Sequence, residues 1–335
     1  MEAFGAEFAI PPGYLNTPSI GIPPRPVADA VAESVQRWRT GADVPPGFDQ
    51  AVARSRAGFA RLIGVPADRV AIGASVSQLV ANVAAAVPDG TRVLAAAGDF
   101  TSVTFPFAAH ADRGVTVTEV PLAELPARAG DFDVVAVSIV QSADGRIVDL
   151  AALEASGTRV LLDASQAAGW LALRLAWADW VVCAGYKWLL APRGSAWLAV
   201  RPDARERTRP VAANWYAGEN PWATVYGLPL RLAADARAFD LSPVWFAQVG
   251  AAVALEYLAE VDSAQVQAHC AGLADTLLDK LGQEPRGSAI VSLDADPERV
   301  AAAGISASVR DGRVRVGFHL YNTADDVERL LGAFE

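Results

Sequence analysis

Residues 181–194 read VVCAGYKWLLAPRG, an apolar run that ends at a glycine and is followed at once by Tyr186 and Lys187. The chain has 28 lysine and arginine residues, of which only Lys187 and Lys280 are lysines. Arginine can replace lysine in most surface ion pairs, but its guanidinium stays protonated. Burial can deprotonate a lysine amine and make it a nucleophile. A lysine that directly follows a predicted buried strand therefore indicates chemistry that needs an amine.

The run before Lys187 belongs to a series of short apolar and β-branched runs that alternate with connecting segments. Continuous apolar runs are typical of strands buried on both faces, as in the mostly parallel sheet of an α/β protein. The sequence therefore predicts a parallel α/β sheet. Its predicted strands are 69–73, 91–97, 114–120, 132–140, 158–165, 178–185 and 194–200.

Apolar residues at helical spacing flank this series on both sides. The predicted helices are 25–40, 48–64, 244–260 and 263–282. Beyond them, a hairpin turn at Asp311-Gly312 and a final amphipathic stretch indicate a small α+β unit. The expected organisation is an N-terminal segment that contributes to the active site and the small domain (1–24), a large α/β domain (25–242) and a small C-terminal α+β domain (243–335).

Composition excludes several classes of function. The net charge is −10 and no run of basic residues occurs, which argues against nucleic acid or an anionic membrane as a partner. Two cysteines, Cys183 and Cys270, are too few for a disulfide framework, and three scattered histidines make a metal site unexpected. The N-terminus lacks a signal-peptide pattern, and no apolar run is long enough to span a bilayer. We expect a cytoplasmic protein.

Chemically distinct residues follow the predicted strands, where parallel sheets bind ligands. Asp163 and Gln166 follow one strand and Lys187 follows the next, while the small-residue turn 73–75 leads from a strand into a helix that could bind a phosphate. Neither a dinucleotide fingerprint nor a Walker A loop is present. An amine, an acid, an amide and an anion site together match pyridoxal phosphate.

Four stretches resemble the class V aminotransferase family of fold-type I pyridoxal-phosphate enzymes, which includes cysteine desulfurases, kynureninases and isopenicillin-N-epimerase-like enzymes. The resemblance implies a mostly parallel seven-stranded sheet with flanking helices, a small α+β C-terminal domain, and a homodimer with active sites near the subunit interface. The stretches are YLNTPSIGIPP (14–24), VLLDASQAAG (160–169), GYKWLLAPRGSAWLAV (185–200) and VRVGFHLYNTADDVERLL (314–331).

The resemblance also implies roles for individual residues. Lys187 would form a Schiff base with the cofactor and then move the α-proton of the substrate. Asp163 would pair with the pyridine nitrogen, and Gln166 would donate to the ring 3′-oxygen. Ala74 and Ser75 would hold the phosphate.

Further cofactor contacts are implied at four positions. The Tyr186 hydroxyl would face the phosphate, and Phe100 would stack on the ring at a position where desulfurases carry a histidine. Ser142 would lie near the 3′-oxygen. Ser242 would reach the phosphate of the neighbouring subunit.

The substrate α-carboxylate would be bound by Arg315, with Arg310 as a helper and Asn16 as a further ligand. The bidentate geometry of a guanidinium suits a carboxylate. The alternative for Arg315 is a structural ion pair with Asp325 or Glu328 in the helix that follows.

One departure from the family bears on the reaction. Persulfide-forming desulfurases need a cysteine shortly before the counterpart of Arg315, and the stretch 301–315 has none. The sequence therefore favours a C–S lyase that eliminates the β-substituent of a cysteine-type amino acid through a carbanion, with aminotransferase and epimerase as alternatives. A non-catalytic binding protein is the alternative of another class, although Lys187, Asp163 and Arg315 are all present.

The aromatic stretch 214–227 could line a substrate pocket or pack on the surface.

Overall fold

The computed structural model describes residues 1–334. The chain begins with a small hairpin of strands β1 (Glu2–Ala3) and β2 (Ala6–Glu7), followed by helices α1 (Arg25–Arg39) and α2 (Asp49–Ile63). Helix α2 ends at Gly64, whose φ of 72° lies in the left-handed region that favours glycine. Both helices were predicted from the sequence to within one residue at each end.

A seven-stranded sheet forms the centre of the molecule. Its strands lie in the order β3-β9-β8-β7-β6-β4-β5, with β9 antiparallel to both of its neighbours and the other pairs parallel. This arrangement confirms the predicted mostly parallel sheet and each of its strands. The strands are β3 (Val70–Gly73), β4 (Arg92–Ala96), β5 (Thr116–Val120), β6 (Val134–Ser138), β7 (Arg159–Asp163), β8 (Trp180–Ala184) and β9 (Ala196–Val200).

Helices cover both faces of this sheet, which explains why its central strands are mostly apolar and lack an alternation of polar and apolar residues. Successive residues of one strand point to opposite faces of the sheet. Leu161 and Leu162 of β7, for example, belong to two separate hydrophobic clusters. The shorter helices of this part are α3 (Val76–Ala84), α4 (Thr101–Ala108), α5 (Leu125–Arg128) and α6 (Leu150–Ala155).

The C-terminal part combines two long helices with a three-stranded antiparallel sheet of order β10-β12-β11. The predicted turn joins β11 to β12, since Asp311 and Gly312 have φ values of 49° and 71°. Helix α7 packs against α1 and α2, where Gly58 lies against Leu255. The domain boundaries at 24/25 and 242/243 stay predictions. The elements are α7 (Trp245–Glu260), α8 (Ser263–Lys280), β10 (Ile290–Leu293), α9 (Pro297–Ala302), β11 (Ser308–Arg310), β12 (Arg313–Gly317) and α10 (Ala324–Gly332).

The segment 14–22 connects the C-terminal sheet to the loop that carries Lys187. The Leu15 carbonyl accepts a hydrogen bond from the Gly317 N–H at 2.8 Å, and Leu15 itself is buried in the C-terminal core. Further along, the Gly21 N–H donates to the Tyr186 carbonyl at 2.9 Å. Segment 14–22 therefore brings the C-terminal sheet close to the loop that contains Lys187.

Within residues 1–334, no helix combines the length and the apolar character that crossing a bilayer requires.

Candidate active site

A cavity of about 200 Å³ lies at the carboxyl ends of strands β3, β6, β7 and β8. In a parallel sheet these ends meet at one edge, so side chains that are distant in sequence converge there. Eight of the residues predicted for the site line this cavity. They are Ala74, Ser75, Phe100, Ser142, Asp163, Gln166, Tyr186 and Lys187.

Lys187 is buried, with 7% of its surface exposed. Burial lowers the pKa of its amine from the ordinary value to about 8, the nearby Asp163 carboxylate opposes that shift, and the positive charge of Arg315 adds to it. Its Nζ lies 5.3 Å from the centroid of the Phe100 ring. An amine with a lowered pKa beside an aromatic face is suited to attack an aldehyde.

Asp163 is the last residue of β7 and is also buried. Its carboxylate accepts a hydrogen bond from the Ser165 N–H at 2.8 Å. Burial raises the pKa of this carboxyl, while the hydrogen bonds from Ser165 and the charge of Lys187 oppose that rise. Because Asp163 forms no ion pair within the described part of the chain, its charge is available to a cationic group in the cavity.

Gln166 is held by contacts at both ends of its amide. The Nε2 group donates to the Pro18 carbonyl at 3.0 Å and to the Ser142 hydroxyl at 3.2 Å, and Oε1 accepts from the Trp188 indole at 2.7 Å. Both amide hydrogens are thus engaged. The predicted bond from Gln166 to a ring oxygen would replace one of these bonds, and it stays a prediction.

The N-terminus of α3 forms another wall of the cavity. Ser75 is its N-cap residue and makes no side-chain capping bond, which leaves the first backbone N–H groups free to bind an anion. Ser77 and Arg193 line the same region, and the Arg193 guanidinium lies 5.0 Å from the centroid of the Tyr186 ring. Sequence reasoning missed both residues, although Ser77 belongs to the same small-residue turn and Arg193 to the lysine segment.

Asp99 was also missed. Its buried carboxylate accepts from the Phe100 N–H at 2.6 Å and from the Ser138 N–H at 2.8 Å. Burial raises the pKa of this carboxyl, and the bonds from Ser138 and Phe100 oppose the rise. Asp99 thereby fixes the start of α4, and with it Phe100, against the end of β6. The sequence did contain a signal for Asp99, because this acidic residue directly precedes Phe100, the predicted aromatic residue of the site.

Arg315 on β12 lies behind Ser142, with 1% of its surface exposed. It donates to the Ser142 carbonyl at 2.6 Å and hydroxyl at 2.9 Å, to the Ser19 hydroxyl at 2.9 Å and to the Ser308 hydroxyl at 3.2 Å. Burial, together with the charge of Arg310, lowers the pKa of Arg315 to about 10. A guanidinium has five N–H donors, so these four bonds leave one without an acceptor.

The alternative of a structural ion pair for Arg315 is wrong. Glu328 pairs with Lys280. Arg315 has no carboxylate partner among residues 1–334. A buried cation that lacks an acidic partner is costly unless an anion binds to it.

Besides Arg315, which lies behind Ser142, three predicted residues do not line the cavity. The Asn16 backbone pairs with Gly317, and its side-chain Oδ1 is buried without a hydrogen-bond partner. Arg310 is exposed at the end of β11, and its charge lowers the pKa of both Lys187 and Arg315. Ser242 is exposed, and its contact with a neighbouring subunit stays a prediction.

The aromatic stretch 214–227 packs on the surface and contributes no residue to the cavity. The Tyr216 hydroxyl and the Trp222 indole both donate to the carboxylate of Asp49. The possibility that this stretch lines the substrate pocket is therefore wrong for the single chain.

Both cysteines are buried outside the cavity, Cys183 in β8 and Cys270 in α8. Burial raises the pKa of each thiol. A thiol with a raised pKa is a poor nucleophile at neutral pH because the thiolate is the reactive form.

The residues at the cavity fit pyridoxal phosphate in chemistry and position. Lys187 offers an amine of lowered pKa, Asp163 a buried carboxylate without a cationic partner, and the start of α3 free N–H groups for a phosphate. Phe100 presents an aromatic face beside the amine. Arg315, bonded to Ser142 behind the cavity, is a buried cation without an acidic partner among residues 1–334.

Comparisons with known proteins agree with this fit. Residues 24–305 match the family described as "Aminotransferase class-V". The chain is 26% identical over 302 residues to the "Uncharacterized aminotransferase YcbU" of Bacillus subtilis (strain 168), covering 82% of this chain and 80% of that protein.

Two solved structures show the fold. An apo cysteine desulfurase from Thermococcus onnurineus NA1 superposes with a TM-score of 0.82 at 20% identity, covering 97% of this chain and 94% of that one. The cystine C-S lyase C-DES, in complex with its product cysteine persulfide, superposes with a TM-score of 0.84 at 20% identity over 96% of both chains.

Proposed function

The chain belongs to the class-V aminotransferase family, and we propose that this pyridoxal-phosphate-dependent enzyme cleaves the Cβ–S bond of a cysteine-type amino acid by β-elimination. The observation that carries the proposal is the buried guanidinium of Arg315, which has no acidic partner among residues 1–334 and is bonded to Ser142, a residue that lines the same cavity as Lys187. An amine for the reacting carbon and a cation for a carboxylate are what an α-amino acid substrate requires.

Bound pyridoxal phosphate supplies an electron-poor ring that stabilises negative charge at Cα of an amino acid. Asp163 would accept a hydrogen bond from the ring nitrogen and so hold a proton there. The N-terminus of α3, with Ser75 and Ser77, would bind the phosphate. Phe100, which is itself positioned by Asp99, would stack on the ring.

Lys187 then moves the protons. Its neutral Nζ takes the proton from Cα, and the electron pair of the broken C–H bond forms a Cα–Cβ double bond as the Cβ–S bond breaks. The sulfur leaves with the electron pair of that bond as a thiolate and takes the proton from the Lys187 ammonium, so a thiol is released and Nζ is neutral again. Water hydrolyses the released dehydroamino acid to pyruvate and ammonia, so the net reaction consumes one water and yields a thiol, pyruvate and ammonia. Arg315 binds the α-carboxylate throughout, with Asn16 beside it.

Two features favour elimination over persulfide transfer to a protein cysteine. The stretch 301–315 has no cysteine, and both cysteines of the chain are buried away from the cavity with raised pKa values. The likeness to a cystine C-S lyase supports the same reaction. Transamination and epimerisation use the same Lys187 proton transfer, and we retain them as the alternatives.

The experiment that tests the proposal incubates the holoenzyme with L-cystine, S-alkyl cysteines, serine and alanine, with and without an added 2-oxo acid. Pyruvate, ammonia, thiol and the amino acid formed from the 2-oxo acid are measured separately. We expect pyruvate and ammonia in equal amounts from the cysteine derivatives without the 2-oxo acid. Turnover that depends on the 2-oxo acid would identify an aminotransferase, and racemisation without products an epimerase; either result would reject the lyase.

We further propose that the enzyme acts in the cytoplasm as a homodimer, in which Ser242 reaches the phosphate site of the neighbouring subunit. Large apolar side chains on the surface support an interface, among them Phe105 at 64% exposure and Leu228 at 89%. Light scattering measures the assembly state. Ser242→Ala should weaken retention of the cofactor in the dimer, and a monomeric holoenzyme with full activity would contradict the proposal.

A further inference from the structure

A second cleft of about 230 Å³ lies beside the active-site cavity. Ser142 lines the active-site cavity, and the next two residues, Ala143 and Asp144, line the second cleft. The active-site cavity and the second cleft therefore lie on either side of the loop that contains residues 142–144. Arg286, Arg310 and Arg313 form much of the wall of this cleft.

The geometry of β12 links this cleft to Arg315. Arg313 and Arg315 are two positions apart on the same strand, so their side chains point to the same face, with Cα atoms roughly 7 Å apart. Arg310 on β11 is paired directly with Arg313, and Arg313 also donates to the Ser292 hydroxyl at 3.1 Å. Ser292 in turn is the cross-strand partner of Arg315.

Positive charge is concentrated in this cleft, which contains three arginines, although the net charge of the chain is −10. Within residues 1–334, Arg286, Arg310 and Arg313 form no ion pair. Two carboxylates, Asp144 and Asp311, belong to the same lining, and Asp144 is bonded to Arg146 at 2.7 Å. The lining thus has an excess of positive charge without partners, next to the predicted carboxylate site.

We infer that this cleft binds a second anionic group at the end of the substrate's side chain. This inference rests on the proposed function and specifies its substrate class: a cysteine-type amino acid whose sulfur substituent ends in a carboxylate or a comparable anion. The α-carboxylate binds to Arg315, and the distal anion binds to Arg310 and Arg313, with Arg286 opposite. The spacing along β12 suits two carboxylates separated by a short aliphatic chain.

The test measures binding rather than turnover, so that it stands even if the reaction is not an elimination. Glutarate and its half-amide, glutaramate, differ in one charge and are not substrates. Calorimetric titration of the holoenzyme should show that glutarate binds about three- to fivefold more tightly, the upper part of the range for a charged contact at exposed arginines. The preference should shrink in 1 M salt because screening weakens exposed charge pairs.

Two variants and one control locate the effect. Arg313→Gln and Arg310→Gln should each reduce the preference for glutarate at least twofold, and the double variant should abolish it. Arg299→Gln removes the same charge from the exposed side of α9, outside the cleft, and should keep the preference.

A wild-type holoenzyme that binds both compounds equally would overturn the inference. So would a preference that survives in the double variant. In a parallel assay, S-carboxymethylcysteine should show a higher kcat/KM than S-carbamoylmethylcysteine. Failure of both compounds to yield pyruvate, with the glutarate preference intact, would reject the lyase alone and leave the anion site standing.

Discussion

Arg315 donates hydrogen bonds to both oxygens of Ser142, to the carbonyl at 2.6 Å and to the hydroxyl at 2.9 Å. The contact joins β12 of the C-terminal sheet to the loop after β6 of the central sheet. Ser142 also accepts from Gln166. The guanidinium of Arg315 is therefore held in a fixed position relative to Ser142 and Gln166, which line the cavity.

Replacing Arg315 should weaken binding of amino acids far more than binding of amines. Arg315→Ala removes the cation that pairs with the α-carboxylate, and loss of one such contact costs about 2–5 kcal/mol when the carboxylate is largely desolvated. The measurement is titration of the cofactor absorbance with an amino acid and with its decarboxylated analogue. Equal losses for both ligands would show that Arg315 does not bind the carboxylate. Thermal melting of the variant checks that it remains folded.

Lys187→Ala should abolish turnover and covalent attachment of the cofactor. Borohydride treatment followed by peptide mass spectrometry should place the reduced cofactor on Lys187 in the wild type and nowhere in the variant. The second lysine, Lys280, lies in α8 and pairs with Glu328. Cofactor found on Lys280 in the wild type would reject the assignment of Lys187.

The rate at which pyridoxal phosphate combines with the cofactor-free protein should rise with pH and level off above about pH 8. Burial lowers the pKa of Lys187 to about 8, and the amine attacks only when it is neutral, so its reactive fraction grows as pH rises through that value. At pH 7 roughly one-tenth of the amine is neutral, compared with well below one-hundredth for an ordinary lysine.

The same measurement on Asp163→Asn gives the matched control. The Asp163 carboxylate raises the pKa of Lys187, so its loss should move the midpoint of the profile to lower pH. A midpoint that stays near pH 10 in the wild type would contradict the burial of the amine.

Asp163→Asn should also slow turnover strongly. An amide cannot keep the ring nitrogen protonated, and a shift of two units in the pKa of that nitrogen corresponds to about 2.7 kcal/mol, or roughly a hundredfold in rate. Steady-state kinetics and the cofactor absorbance spectrum measure the effect. Turnover within a few-fold of the wild type would show that Asp163 is not the partner of the ring.

Gly21→Ala should weaken both folding and cofactor retention. A Cβ at this position would lie 2.0 Å from the Lys187 carbonyl oxygen, so the backbone that carries Lys187 must move. Overpacking of this kind costs about 1–3 kcal/mol.

Gly272→Ala is the matched control for this change, because a Cβ there meets nothing within 4 Å inside helix α8. It should be neutral or stabilise by about 0.5–1 kcal/mol. Equal thermal melting and cofactor content in both variants would show that the contact at Gly21 is unimportant.

The sequence predicted the central sheet well because burial on both faces leaves a strong local pattern. Most strands contain a continuous apolar run, and the residues after β3, β7 and β8 are chemically distinct. Phe100, Ser142 and the ligands of the α-carboxylate came from the family resemblance, since their positions follow no periodic pattern.

Contacts between distant segments could not be predicted in the same way. The bond from Arg315 to Ser19 joins residues 296 positions apart, and no property of either residue identifies the other. The ion-pair alternative for Arg315 failed for the same reason, since the choice between Lys280 and Arg315 as the partner of Glu328 depends on how α8 and α10 pack. Asp99 and Arg193 were visible beside recognised motifs, but only the fold places Asp99 against Ser138 and Arg193 in the lining of the cavity.

The position of segment 14–22 has a consequence for the synthesis of this protein. Tyr14 leaves the ribosome early, yet its carbonyl accepts a hydrogen bond from Asn322, 308 positions later. At about 5–20 residues per second, roughly 15 to 60 seconds separate the two partners. The strands that surround Lys187 are complete well before then, whereas Ser19 and Arg315 meet only after β12 has been synthesised. A chain that stalls before β12 can thus expose a cofactor-reactive lysine without the residues that select its substrate.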